Sequence, residues 1–327
     1  MLSLSIVLPW RGPDQACEDT LVSLLQNRPR DCEIVVVHAG EHGDPYDLAG
    51  EVRFVAAPAA CGLIEQINCG FLASRGVVAH LVQPGLEVED GWTETALEPF
   101  SAPHVAAVAP VVLEAHGERI VTAGVRRGVA WARKTTRRAA LLRTTMCSDG
   151  PDLLAGFWRR SAWEQTGGFD PAFGDRFADL DLAVTLHELG FTAVVDAGSR
   201  LRQTTDCSAP ASAWEQGRFA ERLFWKHVTR RRRGASLALH AAAVALESIA
   251  ALPRPNRWMM IAGRLLTIAE LPLTGRRRQA ASPRDGHPEP ASSGDSFHHR
   301  EPAVRFPNGG LRGPNQPNPV RPTRGAA

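Results

Sequence analysis

The sequence predicts an α/β protein built on a doubly wound, mainly parallel sheet flanked by helices. Three observations carry that expectation. Short apolar runs alternate with segments of helical spacing from Leu4 to Val112, and each run has the length of a buried strand rather than a helix. Hydrophobic residues make up 44% of the 327 residues, enough for one large core. The net charge is only +2, so no general affinity for nucleic acid is expected.

The elements follow in order. Leu4–Leu8 (LSIVL) is a buried-strand run stopped by Pro9, and Glu18–Gln26 places Leu21, Leu24 and Leu25 on one helical side. Cys32–Val37 and Val52–Ala56 are two more strands, Ile64–Ala73 a helix, and Val77–Val82 a fourth strand. A helix over Gly91–Phe100 and a strand over Val105–Val112 come next. In such sheets ligands bind beyond the carboxyl ends of the strands, which singles out the loops after Leu8, Val37 and Val82. Residues 118–150 are Arg- and Thr-rich and irregular, and are expected to form an insertion or hairpin with a mobile loop. Ala193–Val195 adds a strand, and Trp214–Val228 a helix with Phe219, Leu223, Phe224 and His227 available to one face.

Beyond residue 230 the pattern changes. Leu237–Leu252 is nearly all apolar but short, and it contains His240 and Glu247. A spanning helix needs about 20 apolar residues, so none is predicted. Pro253–Asn256 breaks the run, and Trp258–Leu271 follows as a second apolar helix. Residues 231–275 are thus a helical hairpin, either packed on the preceding domain or lying on a membrane with help from Arg230–Arg233 and Arg276–Arg278. Residues 276–327 are rich in Pro, Gly, Ser and Arg and are expected to be disordered. The organisation is one domain over 1–230, the hairpin, and the tail.

The six cysteines show no C-x-x-C pair, which argues against a zinc site and for reduced, buried thiols in a cytosolic protein. The N-terminal apolar run is too short for a secretory signal. The first strand leads to Pro9-Trp10-Arg11-Gly12 rather than G-x-G-x-x-G, which argues against a nicotinamide dehydrogenase.

The most informative stretch is Leu153–Thr192. It contains the turn Gly167-Gly168-Phe169-Asp170, then Asp179 and Asp181, which are expected to open an amphipathic helix carrying Leu182, Leu186 and Leu189. A carboxylate there is either a general base or a helix cap. This stretch resembles the acceptor and base segment of family-2 (GT-A type) glycosyltransferases, whose form is G-G-F-D, a short loop, then E-D-x-D-L. The resemblance runs from residue 4 to about 230, and the Gln83-Pro84-Gly85 frame is similar to the Asn-Pro-Asp version of rhamnosyltransferase-like members.

The resemblance implies transfer of a sugar, with inversion, from a nucleotide-diphosphate donor to a hydroxyl acceptor on a cell-surface or lipid-linked glycan. It implies Asp179 as the base, with Gly167, Gly168, Asp170 and Asp181 on the acceptor side. Asp181 is read as an orienting or capping group. It implies donor contacts from Pro9, His38, Asp44, Gly62, Asn68, Gln83 and Gly85. It implies Mg2+ or Mn2+ as cofactor, yet Gly85 stands where the family has its metal-binding Asp, and Glu87 is the nearest replacement carboxylate. His38 and Ala178 likewise replace acids. Trp10 is a core residue or a platform for the base, and Arg202 is placed to face the diphosphate. The absence of Gln-x-x-Arg-Trp argues against a processive synthase. The implied setting is the cytoplasm, at the inner face of the cell membrane. The loss of three acids keeps open a second reading, a non-catalytic relative that binds sugar, nucleotide or a partner protein.

Overall fold

A computed structural model of the chain describes residues 3–39, 48, 50–137, 148–207, 212–228, 233–251 and 255–280. The strands are β1 (Leu4–Trp10), β2 (Cys32–Ala39), β3 (Val52–Ala57), β4 (Val78–Val82), β5 (Leu86–Val88), β6 (Val105–Glu114), β7 (Ile120–Thr122), β8 (Val125–Arg127), β9 (Arg133–Thr135), β10 (Ala155–Arg159) and β11 (Thr192–Gln203). The helices are α1 (Asp14–Gln26), α2 (Leu63–Ala73), α3 (Glu94–Leu97), α4 (Arg160–Thr166), α5 (Gly174–Glu188), α6 (Ala213–His227), α7 (Arg233–Ala251) and α8 (Pro255–Ala280).

The main sheet runs β3-β2-β1-β4-β10-β6-β11-β5, with β7 paired to β6. Strands β1 to β4 are mutually parallel, as are β6 and β11. Strand β10 enters antiparallel between β4 and β6, with Phe157 opposite His80 and Val108. Alternation along the strands feeds two core layers. Val7, Val35 and Val37 point to the side of Ile67, Phe71, Trp158 and Phe169, whereas Ile6, Leu8 and Val36 point to the side of Leu21, Leu24 and Phe100. Helix α2 approaches β1 and β2 so closely that a Cβ on Gly70 would overlap the Val7 side chain, so only glycine fits there.

The predicted strands and helices of the first 112 residues recur with shifts at their ends, with one change of type. The helix expected over Gly91–Phe100 is the single turn α3 followed by a 3-10 turn over Glu98–Ser101. The insertion expected over 118–150 contains a small β8–β9 hairpin, and residues 138–147 of it, where a mobile loop could fall, lie outside the described residues. Asp179 does not open a helix. Helix α5 begins at Gly174, because Phe173, Phe177 and Ala178 extend its buried face backwards and leave Asp179 in its second turn. Of the segment expected to be disordered, residues 276–280 belong to α8 and the remainder lies outside the described residues. Among the described residues no helix is long and apolar enough to cross a membrane.

Candidate functional site

At the carboxyl end of the parallel strands, Trp10, the last residue of β1, stands in register with His38, the last residue but one of β2. Pro9 is buried one residue earlier. The fully buried Gln66 of α2 ties the two ends together by donating Nε2 to the carbonyls of Val37 (2.5 Å) and Trp10 (3.2 Å). Trp10 is half-buried against the core, and its indole donates to Asp14. Gly62 is the N-cap of α2. It has no side chain to offer, so the cap is made in one direction only, with the Glu65 carboxylate accepting from the Gly62 N–H at 2.5 Å. Arg11 donates to the Cys61 carbonyl beside this turn. Asp44 lies outside the described residues.

The turn between β4 and β5 carries the expected metal position. Gln83 donates its side chain to the Leu153 carbonyl at 2.6 Å. Gly85 has φ +84°, and a Cβ built there would overlap the Thr205 carbonyl oxygen. Its own carbonyl accepts from the N–H groups of Thr204 and Thr205, and its N–H donates to Thr20 Oγ1. The space that a carboxylate side chain at position 85 would need is therefore filled by the backbone that follows β11. Glu87 is exposed on β5, cross-strand from Arg202. Arg202 is ion-paired with Glu89 and donates to Gly117, so it is engaged away from the expected diphosphate. Among the described residues no group of three or more His, Cys, Asp or Glu side chains is placed to hold a metal ion. The residues at this turn do not fit the divalent cation that the family implies.

The Gly-Gly turn is a hinge between α4 and α5. Gly167 and Gly168 have φ of +80° and +88°, which L side chains rarely adopt. Asn68 secures the next residue, donating to the Phe169 carbonyl at 2.8 Å and accepting from its N–H at 3.1 Å. Both ends of its amide are used on backbone. Asp170 caps the short turn Pro171–Phe173, and Lys226 bridges Asp170 to the buried Asp181 at 3.0 and 2.7 Å. Asp181 also meets His227 Nε2 at 2.9 Å. The two carboxylates expected on the acceptor side thus tie α5 and the turn before it to α6.

Asp179 lies deepest. Its side chain is 0% exposed, and Arg133 of β9 grips both carboxylate oxygens, Nε at 3.0 and 3.2 Å and Nη2 at 2.5 Å. The Leu180 N–H donates to Oδ1 at 2.7 Å and the Leu153 N–H to Oδ2 at 3.4 Å. The same guanidinium reaches Asp152 at 2.8 Å. Burial pushes the Asp179 carboxyl up, with Arg133 pulling the other way. Burial also presses on Asp152, but Arg133, the Leu154 N–H and Thr122 overcome it and hold that carboxyl below its ordinary range. In this conformation Asp179 is covered rather than open to an acceptor. A hollow of about 260 Å³ adjoins the cover, lined by Arg133, Thr135, Arg176, Phe177, Gln216 and Arg264.

One contact unites the two expected half-sites. The Leu153 peptide accepts from Gln83 through its carbonyl and donates to Asp179 through its N–H. The turn at Gln83 and Asp179 of α5 are thus neighbours, 96 residues apart in sequence. A larger cavity of about 470 Å³ opens at the other end of β6 and β11, near Trp158, His187 and Thr192, and no predicted site residue lines it. Sequence reasoning missed Arg133 and Asp152. Asp152 directly precedes the Leu153 motif, whereas Arg133 has no spacing signal at all.

No family model matches the sequence, and no curated protein does. Solved structures of similar fold include GT-A-type glycosyltransferases. GalNAc-T7, crystallised with UDP, GalNAc and Mn2+, matches over 69% of this chain at a TM-score of 0.54 and 16% identity. The match covers 48% of GalNAc-T7, so the chain spans about half that protein's length. The mannosyltransferase PcManGT from Pyrobaculum calidifontis, in complex with GDP-Man and Mn2+, matches over 86% of this chain and 79% of its own at a TM-score of 0.52 and 14% identity. At these identities the likeness establishes the fold, which is the mixed α/β fold expected from the sequence.

Proposed function

We propose that this protein is an inverting glycosyltransferase of family 2, rhamnosyltransferase-like, that moves a sugar from a nucleotide-diphosphate donor to a hydroxyl of a cell-surface or lipid-linked glycan. The observation that carries this reading is the Leu153 bridge, which sets the acid of α5 beside the donor-side turn in a fold shared with nucleotide-sugar enzymes. Residues 1–230 are the catalytic domain and 231–275 a hairpin in peripheral contact with the cytoplasmic face of the membrane.

In the reaction, Arg133 withdraws toward the hollow that it lines and frees Asp179. The carboxylate takes the proton of the acceptor hydroxyl as that oxygen attacks the anomeric carbon. The bond from that carbon to the donor phosphate oxygen breaks, the electron pair leaves with the nucleoside diphosphate, and the configuration inverts. With Gly85 in place of a metal ligand, the leaving charge falls to the rim cations Arg11 and Arg176. Asp175, exposed one helical turn before Asp179, is the reserve candidate for the base.

Calorimetry against UDP-, GDP- and dTDP-sugars tests the donor side. Binding of one of them, little changed by Mg2+ or Mn2+, is expected. Asp179→Asn is expected to lower turnover by about 10²–10⁴-fold with donor binding intact. Turnover that survives in Asp179→Asn but is lost in Asp175→Asn would move the base one turn along α5. A second reading, a non-catalytic relative, is favoured by the occupied space at Gly85 and the covered Asp179. No donor binding across the panel, with or without metal, would select it.

A further inference from the structure

Helices α7 and α8 are inside out. A helix packed on a domain in water buries its apolar stripe and exposes its polar one. In α7 the polar side chains instead turn toward the protein. His240 Nε2 meets Glu221 at 3.0 Å, and Glu247 meets Arg264 at 2.9 Å. The exposed face of α7 carries Leu239 (75% exposed), Leu246 (68%) and Ile249 (62%) among glycine and alanines, while Ser236, His240, Glu247 and Ser248 are partly buried. Helix α8 repeats the pattern. Arg264 and Thr267 are buried, while Trp258, Met259, Leu265, Leu266 and Ile268 are exposed, with Arg257 as the exposed charge at the start of the helix. The hairpin is firmly seated from within, since α6 and α8 approach so closely that a Cβ on Gly217 would overlap the Met260 carbonyl and one on Gly263 that of Trp214.

An apolar face of this extent calls for a partner of low polarity. Residues 281–327 carry too few apolar side chains to cover it. A second copy joined by twofold symmetry would set the same patch against itself, bringing together the arginine runs 230–233, at the start of α7, and 276–278, near the end of α8. Anionic headgroups attract those runs instead. Neither helix can span a bilayer, so the hairpin lies in its plane. We infer that the α7–α8 hairpin docks its exposed face on an anionic lipid surface, with Leu239, Leu246, Ile249, Trp258 and Leu265 in the headgroup and acyl boundary. It rests on the peripheral-contact part of the proposed function, and vesicle binding without donor or acceptor separates its failure from failure of sugar transfer.

Flotation of the full chain with phosphatidylcholine vesicles containing about one-third phosphatidylglycerol tests it. Binding is expected to these vesicles and to fall on pure phosphatidylcholine. The triple variant Leu239→Gln/Leu246→Gln/Ile249→Gln, at exposed positions, should keep its circular dichroism and lose about tenfold or more in partitioning. Equal flotation of variant and parent would overturn the inference. So would light scattering that finds a lipid-free dimer which the triple variant dissociates, since the occupant would then be a second copy.

Discussion

Gly85 is a position where one side chain decides what chemistry is available. Restoring the family's carboxylate by Gly85→Asp would put a Cβ onto the Thr205 carbonyl, on a backbone with φ +84° that favours glycine. The left-handed strain alone costs about 1–3 kcal/mol, and the overlap must be relieved by displacing the segment after β11. The expected outcome is a lower Tm and no gain of Mn2+ binding by calorimetry. A variant of unchanged stability that binds Mn2+ would instead mean that the Thr205 backbone yields easily and that the site is one substitution from a metal centre. The glycine was visible in the sequence as a missing acid. What fills its place was not, because Thr205 is 120 residues away. The cover over Asp179 was hidden for the same reason, since Arg133 lies 46 residues before it in an irregular stretch. Local motifs disclose the acid, and only the fold discloses its counterion.

At the level of elements, strand periodicity and helical spacing were enough to place β1, β2, β3, β4 and α2, because each buries one continuous apolar run or stripe against a fixed neighbour. The start of α5 was misplaced because an aspartate at a motif boundary looks like a cap, whereas the buried rings of Phe173 and Phe177 pull the helix one turn further back. The element-level feature with the largest expected leverage is the staple between α2 and the Gly-Gly turn. Asn68→Ala removes two hydrogen bonds and leaves the Phe169 N–H and C=O without the partners they now have. A loss of about 2–3 kcal/mol is expected in urea denaturation. Donor turnover should fall with it, since the turn positions α5 and Asp179. A change below about 0.5 kcal/mol would show that water replaces the amide at this turn and that the staple is dispensable.

For the whole molecule, the alternation of strands and helices announced the mixed α/β sheet, while the inverted polarity of the last two helices could be seen only once their inner and outer faces were known. Global stability hangs on a group that no motif marks. His80 sits in the middle of β4, fully buried, stacked on Phe157 at 3.6 Å and donating Nδ1–H to the Gly156 carbonyl at 2.7 Å. Its Nε2 has no partner, so a second proton would be a bare charge at the centre of the sheet. Burial accordingly drives the ring's pKa down from 6.5 to about 3, against the opposing pull of the Gly156 carbonyl. The unfolded chain takes up this proton below about pH 6.5 and the folded chain refuses it until about pH 3, so the unfolded state binds more protons throughout that window. Stability is therefore full above pH 6.5 and declines as pH falls, by up to about 1.4 kcal/mol per pH unit from this one ring. The depressed carboxyls of Asp152 and Glu221 add their loss only as pH falls through the ordinary carboxylate range and below, whereas the raised Asp179 acts in the opposite sense, above that range. A decline that begins near neutrality is thus assigned to His80. Urea titrations at stepped pH should show it in the parent protein and a much flatter line between pH 6.5 and 5 in His80→Leu, whatever constant penalty that substitution carries. Parallel lines for the two proteins would mean that the imidazole takes its proton without unfolding the sheet.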